Sequence, residues 1–595
     1  MPKRHLARPW NQPRKKTELP EYTLTRARKQ LTELLKSQEI SIGLDEVRDV
    51  EANIAADLAI PLFRIAKQLG KNPQELAENL ANRINLDNTL FEQIQPVHGY
   101  LNFKFNPARF SRSVIADYLR DPESYGRSLA GNGRTIVIDY SSPNIAKPFS
   151  IGHLRSTIIG QALHNILTWL GYRIIGDNHL GDWGTQFGKL LCAYELWGND
   201  KELARDSTGY LLKLYVRFHD EAKTKPELEN KAREWFKKLE TGDKQAHDLW
   251  KRAVQLSTAE FQHIYELLGI KFDESLGESF YANRLKELIN RALEKGVACR
   301  EKPLKPSGTD EKVILIPLAE YGIDTPLILE KSDGTSLYAT REIATAEYRI
   351  HTWNPEKILY VVGKEQELYF KQMNAALKLL GHNTPCVHVS FGLIRLPQGR
   401  MSTREGRVIL LEDVINEAIR RAKKIVADRK IPEPEKDKVA RIVGIGAIKY
   451  ADLSQSRTRE VVFDWDKMLA LDGDSAPYLQ YAHTRCRSIL KKADNEKNSD
   501  FDPAILARPE EFTLLCQIAR FPDAIVDAAA TYEPHRIANR LYKLARDFSA
   551  FYNKVPVLHA ETQKLRRARL LLVQMTGTTI RLGLKLLGIE VPDQM

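Results

Sequence analysis

Apolar and polar positions alternate along this chain in two distinct rhythms. Asn72-Pro73-Gln74-Glu75 reads as an N-cap, a proline at the first helical position and a glutamate at the third. Leu76, Leu80 and Ile84 then line one helix face. Tyr100-Leu101-Asn102-Phe103-Lys104-Phe105 alternates with period two and predicts a strand. Together these predict an α+β domain over residues 1–128.

Gly131-Asn132-Gly133 marks a turn, and Thr135 to Tyr140 reads as a buried strand. A polar, proline-containing loop runs from Ser141 to Pro148. A helix follows from about Ser150, with Ile151, Leu154, Ile158, Leu163, Ile166, Leu167 and Leu170 as its apolar residues. Gly171 ends it, and Tyr172 to Ile175 reads as the next strand. Strand, five-turn helix and strand make a βαβ unit of parallel sheet. A second set follows: strand Ile358 to Val362, helix Gln366 to Leu380 and strand Val387 to Ile394. A charged helical insertion over roughly 200–300 separates the two sets. Beyond about residue 465 helices are predicted at Ala476–Lys492, Glu510–Ala530, Pro534–Asn553 and Thr562–Leu587. The expected fold class is multidomain. A Rossmann-type α/β parallel-sheet core (129–395) is followed by a connecting region (396–465) and a C-terminal α-helical bundle (466–595). A single core rarely grows past about 250–300 residues, so 595 residues agree with several domains.

Hydrophobic residues at 43% and charged residues at 28% are the balance of a soluble globular protein. The longest apolar runs fall far short of a membrane span, so no membrane partner is expected. No apolar segment follows the start, which argues against secretion. Lys plus Arg total 89 against 77 for Asp plus Glu, a net +12 that suits a polyanionic partner. Part of that charge sits in a proline-punctuated basic arm over residues 1–20, expected to be disordered. The five cysteines are scattered without Cys/His ligand spacing. That predicts no structural metal, reduced thiols and a cytoplasmic location.

Candidate chemistry concentrates at the first strand-to-helix turn. In an open parallel sheet, ligands bind beyond the carboxyl ends of the strands. A helix start offers unpaired N–H groups suited to phosphate. Gly152 allows close backbone approach, His153 can donate to a phosphate oxygen, and Lys147 adds a full charge. A lone Gly-His pair in a helix is ordinarily a packing site. Here Asn144, Lys147, Gly152 and His153 converge on one turn.

Ser150-Ile151-Gly152-His153 resembles the HIGH element of class I aminoacyl-tRNA synthetases, and the string from Ser142 to Gly160 resembles its arginyl-tRNA synthetase version. Asp177-Asn178-His179-Leu180-Gly181-Asp182-Trp183-Gly184-Thr185-Gln186-Phe187-Gly188 is similar to a motif of the same family. One departure is Ser150, which stands where HIGH has its first histidine and cannot carry charge. Arg400-Met401-Ser402-Thr403-Arg404 resembles the KMSKS loop, with Thr403 in place of the catalytic lysine. The resemblance covers nearly the whole chain from about residue 40. It implies an arginine–tRNA ligase that converts arginine and ATP, as its magnesium complex, into arginyl-adenylate and then esterifies tRNA(Arg).

The resemblance also implies roles. Lys147, Ser150, Gly152, His153 and Arg404 are candidate catalytic residues, with Lys147 or Arg404 taking over from the missing loop lysine. Met401 and Ser402 join Ser150, Gly152 and His153 at ATP. Glu278, Tyr338 and Glu342 are expected around the guanidinium, with Tyr338 and Glu342 four apart on one helix face. Asp139, Asn144 and Gln366 are expected at the amino and carboxyl ends of arginine. Tyr100 and Asn102 are expected to touch the tRNA elbow. Tyr478, Tyr481, Arg485 and Tyr552 are expected to supply stacking planes and charge to anticodon bases. A monomer is expected. Two readings compete: a class I synthetase of other specificity, and a non-catalytic tRNA-binding scaffold. The phosphate constellation argues against the scaffold.

Overall fold

The computed structural model describes residues 21–50, 56–301, 312–332, 334–395, 409–429, 431–493 and 501–595. Strands β1 (Arg48–Asp49), β2 (Leu58–Pro61), β3 (Phe91–Val97) and β4 (Tyr100–Phe105) form an antiparallel sheet in the order β1-β2-β4-β3. Asn72 Oδ1 caps helix Pro73–Arg83, accepting from Gln74 N at 2.8 Å and Glu75 N at 3.3 Å. Helix Pro107–Arg120 carries this unit onto the C-terminal helices. Phe110 lies 5.6 Å from Phe512, and the Tyr118 hydroxyl is 3.1 Å from Thr578 Oγ1.

The central sheet is parallel. Strands β5 (Thr135–Asp139) and β6 (Arg173–Asp177) flank helix Leu154–Trp169 in sequence. Strands β7 (Cys299–Glu301), β8 (Val313–Ile316) and β9 (Leu327–Glu330) form a separate antiparallel sheet. Then β10 (Lys357–Tyr360) and β11 (Cys386–His388) complete the order β11-β10-β5-β6. From β5 the chain runs outward to β6 and later returns to β10 on the other side of β5. The carboxyl ends of β5 and β10 therefore border the topological switch point, where a crevice forms. Strands β12 (Ile394–Arg395) and β13 (Val461–Val462) make a short parallel pair beyond it.

Three features differ from the pattern reading. The insertion is helical through Lys244–Leu268, but β7–β9 follow it, and their short apolar runs show too little period to announce a sheet. The connecting region holds two long helices, Leu411–Ala427 and Glu433–Leu453, so the helical half begins well before residue 465. Helix Glu433–Leu453 is buried almost continuously from Val443 to Leu453, which erases the one-sided stripe that marks a surface helix. The stretch read as one helix, 510–530, is two: Pro509–Ala519 and Phe521–Thr531. Pro522, in the first turn of the second, cannot continue the first.

Asp139 and Asp177 stand side by side in register at the ends of β5 and β6. Both carboxylates are buried, and two unpaired anions there would be prohibitively costly. Arg349 supplies the cation from helix Tyr338–Trp353. Its Nη2 lies 2.7 Å from Asp139 Oδ2 and 2.7 Å from Asp177 Oδ2, with Nε 3.1 Å from Asp177 Oδ2. Removing one partner of such a pair is strongly destabilising. Arg349→Met should lower stability by about 3–5 kcal/mol in urea unfolding. A loss under about 1 kcal/mol would show that the clamp does not hold the sheet end.

Candidate active site

The loop leaving β5 is strained. Ser141, Ser142 and Ala146 have φ of 70°, 47° and 63°, a region that non-glycine residues seldom enter. Hydrogen bonds hold it there. Ser141 N donates to Ser156 Oγ at 2.9 Å, Ser142 N to Asn178 Oδ1 at 3.1 Å and Ala146 N to Ser257 Oγ at 3.1 Å. The Ser142 hydroxyl donates to Asp139 Oδ1 at 2.8 Å, so both oxygens of Asp139 are engaged. Asn144 bridges Gly181, where a Cβ would stand 2.3 Å from Asn144 Oδ1.

The loop ends in a tight turn, Ile151–His153, that opens helix Leu154–Trp169. Ser150 N donates to His153 Nδ1 at 3.1 Å. Burial, aided by the nearby Lys147 charge, lowers the His153 pKa to about 4. The ring is therefore neutral at pH 7, and because Nδ1 accepts, its proton sits on Nε2. Ser150 is buried and Gly152 is exposed at the turn. Arg404, Met401 and Ser402 lie outside the described residues. The stem that follows them returns to this turn, with Ile151 N donating to Ile409 O at 3.1 Å and Leu411 N to Phe149 O at 2.9 Å.

A second group faces the switch point from helix Tyr338–Trp353. Glu342 and Glu278 are 2% and 6% exposed, so both acids are inside the protein. His179 Nε2 lies 3.2 Å from Glu342 Oε1, and its Nδ1–H donates to Leu276 O at 3.0 Å. Burial alone would lower the His179 pKa, but Glu342 and Asp139 raise it to about 9, making it an imidazolium at neutral pH. The same pairing overcomes the burial of Glu342 and keeps its carboxyl below the usual range. Glu278 behaves differently. Burial raises its pKa to about 7 against the pull of Arg341. Arg341 Nε is 2.9 Å from Glu278 Oε2, yet this pair, like His179 Nε2 and Glu342 Oε1, is out of line for a hydrogen bond. Tyr338 is 40% exposed, but its hydroxyl end lies within the cluster, where burial and Glu342 push its pKa well up. Its ring packs 5.4 Å from Tyr369. Gln366, exposed, precedes helix Glu367–Leu379 at the mouth.

Asp139, Glu278, Tyr338 and Glu342 are thus brought together, and Asn144, Lys147, Ser150, Gly152 and His153 share the adjoining turn. Sequence reasoning missed Arg341 and Arg349 and gave His179 no separate role. A signal existed for Arg349: it lies two helical turns beyond Glu342 and so shares its face.

The outer candidates separate. Tyr481, Arg485 and Tyr552 form one cluster, with the Arg485 guanidinium 4.6 Å and 5.1 Å from the two ring centroids. The Arg429 guanidinium also lies 5.7 Å from the Tyr481 ring centroid. Tyr478 is half-buried against Tyr542, its hydroxyl 3.2 Å from Ser549 Oγ. Tyr100 is half-exposed in an edge contact with Phe63, whereas Asn102 keeps only 5% of its surface, so β4 presents the tyrosine rather than the amide.

Comparison with known proteins follows the same division. The arginyl-tRNA synthetase N-terminal domain matches residues 25–105. The catalytic domain of class I tRNA synthetases (R) matches 115–465, and the DALR anticodon-binding domain matches 479–595. An arginine–tRNA ligase of Halothermothrix orenii is 41% identical over 541 residues, 91% of this chain and 94% of that protein. One from Clostridium perfringens is 42% identical over 542 residues, with the same coverage. The Thermus thermophilus arginyl-tRNA synthetase structure superposes with a TM-score of 0.79 at 26% identity, covering 96% of this chain and 99% of that one. The arginyl-tRNA synthetase of Plasmodium falciparum gives 0.79 at 25% identity, with the same coverage. Relatives above 40% identity over nine-tenths of the chain, and three family matches in one order, leave a single assignment: the chain belongs to the arginyl-tRNA synthetase family.

Proposed function

We propose that this chain activates L-arginine with ATP and transfers it to tRNA(Arg), with the crevice at β5 and β10 as the active site. The observation that carries this reading is the charge of the buried cluster. Asp139, Asp177, Glu278 and Glu342 face two guanidiniums, Arg341 and Arg349, and one imidazolium, His179. Asp182, buried and bonded to Ser279, adds to the acids, so with Glu278 ionised the carboxylates outnumber the cations, and a substrate guanidinium supplies positive charge with planar, multiply donating geometry.

An arginine carboxylate oxygen attacks the α-phosphorus of ATP, the bond to the β-phosphate oxygen breaks, and pyrophosphate leaves. No base is needed, because the carboxylate is already ionised. His153 Nε2–H and Lys147 stabilise the charge that develops on the phosphate oxygens, while Ser150 and Gly152 shape the turn around them. Arg404 is assigned to the pyrophosphate, and Met401 and Ser402 to ATP. Magnesium arrives with ATP, ligated mainly by phosphate oxygens and water. Asn144 and Gln366 attend the ends of arginine, and Asp139 acts while held by Arg349 and Ser142. A hydroxyl of the terminal tRNA ribose then attacks the adenylate carbonyl, AMP leaves, and the hydroxyl proton passes to solvent.

The unit over 1–128 is assigned to the tRNA elbow through Tyr100, with Asn102 beneath it. The unit over 129–395 is assigned to catalysis, 396–465 to the KMSKS-like loop and its connection, and 466–595 to the anticodon. The Tyr481–Arg485–Tyr552 cluster, with Tyr478 beside it, offers aromatic faces and charge to unstacked bases. Five cysteines without a disulfide fit a reducing, cytoplasmic setting, and we assign a monomer.

Pyrophosphate exchange tests the reading. Arginine should support exchange and lysine should not, because an ammonium leaves planar acceptors unpaired; rejection by about 10⁴-fold is the expected scale. Glu342→Gln should raise the arginine KM at least about tenfold with the ATP KM within about twofold. Robust lysine activation, or an arginine KM untouched by Glu342→Gln, would reject the pocket.

The Glu278 carboxyl adds a pH signature. Its pKa stands near 7, above the usual carboxylate range, and a guanidinium binds only the ionised form. Arginine affinity is therefore full above pH 7 and falls as pH drops through that value. From pH 8 to pH 6 the arginine KM should rise about tenfold in all, most of it below pH 7, while the ATP KM stays flat. Glu278→Gln should weaken arginine binding and remove the slope. A flat arginine KM from pH 8 to 6 in the parent enzyme would contradict it.

A further inference from the structure

Three consecutive polar residues, Arg155, Ser156 and Thr157, are buried in the first turn of helix Leu154–Trp169, immediately after the His153 turn. Ser156 and Thr157 tie this turn to the sheet. Ser156 Oγ donates to Val361 O at 2.6 Å and accepts from Ser141 N at 2.9 Å. Thr157 Oγ1 lies 2.8 Å from Ser141 Oγ and 2.8 Å from His153 O.

Arg155 points elsewhere. Its Nε and Nη2 grip Asp452, the end of helix Glu433–Leu453, at 2.8–3.1 Å. Its Nη1 donates to Gly392 O at 2.6 Å and Arg459 O at 2.8 Å. Arg155 and Asp452 are each 1% exposed, so the fork is buried with its acceptors. Gly392 permits this convergence, since a Cβ there would stand 2.6 Å from Arg459 O. Gly392 N donates to Arg457 O at 2.9 Å. Arg457 in turn reaches the bundle, its N donating to Glu533 Oε2 at 3.2 Å and its Nε to Tyr532 O at 3.1 Å. A contiguous polar path thus runs from the C-terminal helices to the turn that carries His153.

We infer that Arg155 is a positioning residue: it registers the His153 turn against the C-terminal helical half and so sets the donor at the α-phosphate. This rests on the phosphate-donor role proposed for His153. The helix backbone is continuous from Leu154, so a shift of the Arg155 anchor moves the ring two residues earlier. A lysine in its place would keep the charge but could engage these acceptors only from a single nitrogen, without the planar fork.

A double-variant cycle in pyrophosphate exchange tests it. Arg155→Lys should lower kcat by about tenfold or more with the arginine KM within about twofold. In a His153→Ala background the same substitution should change kcat by less than about twofold, because the group it positions is gone. Losses that multiply in the double variant, or an unaltered kcat in Arg155→Lys, overturn the positioning role. A normal kcat in His153→Ala alone rejects the donor role instead. Thermal unfolding of each variant identifies a folding defect, and if Arg155→Lys does not fold, Asp452→Glu takes its place in the same cycle.

Discussion

Two carboxylates at the ends of neighbouring parallel strands cannot both stay ionised in a buried site without a cation between them. That constraint organises the crevice. Arg349 meets it for Asp139 and Asp177, and it comes from helix Tyr338–Trp353. Anchoring the helix there fixes which of its residues overlook the switch point. Glu342, two turns earlier on the same face, is drawn in, and Glu342 in turn holds His179 as an imidazolium. Asp139, gripped by Arg349 on one oxygen and Ser142 on the other, also holds the strained loop that leads to the His153 turn. One ion cluster therefore connects the Glu342 side of the crevice with the His153 turn.

The sequence made part of this legible. The βαβ pattern around Gly171 and the Asn72 cap are local signals, written in spacing and capping chemistry within a few residues of each other. The turn at 150–153 and the Tyr338–Glu342 face are local as well. Arg155, Arg349 and Arg341 were not legible in the same way. Each is a cation buried by partners that lie far away in the chain, and a charged residue in a helix reads as solvated until its partner is seen. The Arg155–Asp452 pair joins residues separated by 297 positions, and nothing in the neighbourhood of either announces the other. Helix Glu433–Leu453 was hidden for a related reason: burial on most sides removes the alternation that pattern reading depends on.

The chain as a whole carries +12, yet its deepest polar cluster is rich in carboxylates. The two facts serve different ligands. On the proposed function, exposed lysines and arginines, and the cationic-aromatic surface around Arg485, address a polyanion over long range and are screened by salt. The interior carboxylates act at contact distance in low dielectric, where one unpaired charge is decisive.

Within the cluster the four carboxylates are not equivalent, and the difference assigns them to distinct tasks. Asp139 and Asp177 share the Arg349 guanidinium at hydrogen-bond distance, so each already has a cation in line. Glu278 meets Arg341 at 2.9 Å but out of line, which leaves an oxygen and a guanidinium nitrogen incompletely satisfied in a buried place. An unsatisfied buried acceptor gains the most from a new donor. On the proposed function, a planar guanidinium entering beside Tyr338 therefore gains more at Glu278 and Glu342 than at either strand-end aspartate, and its charge offsets the burial that holds the Glu278 pKa near 7. On the proposed function, the paired aspartates build the crevice, and Glu278 and Glu342, each with a buried oxygen lacking an in-line donor, select what enters it.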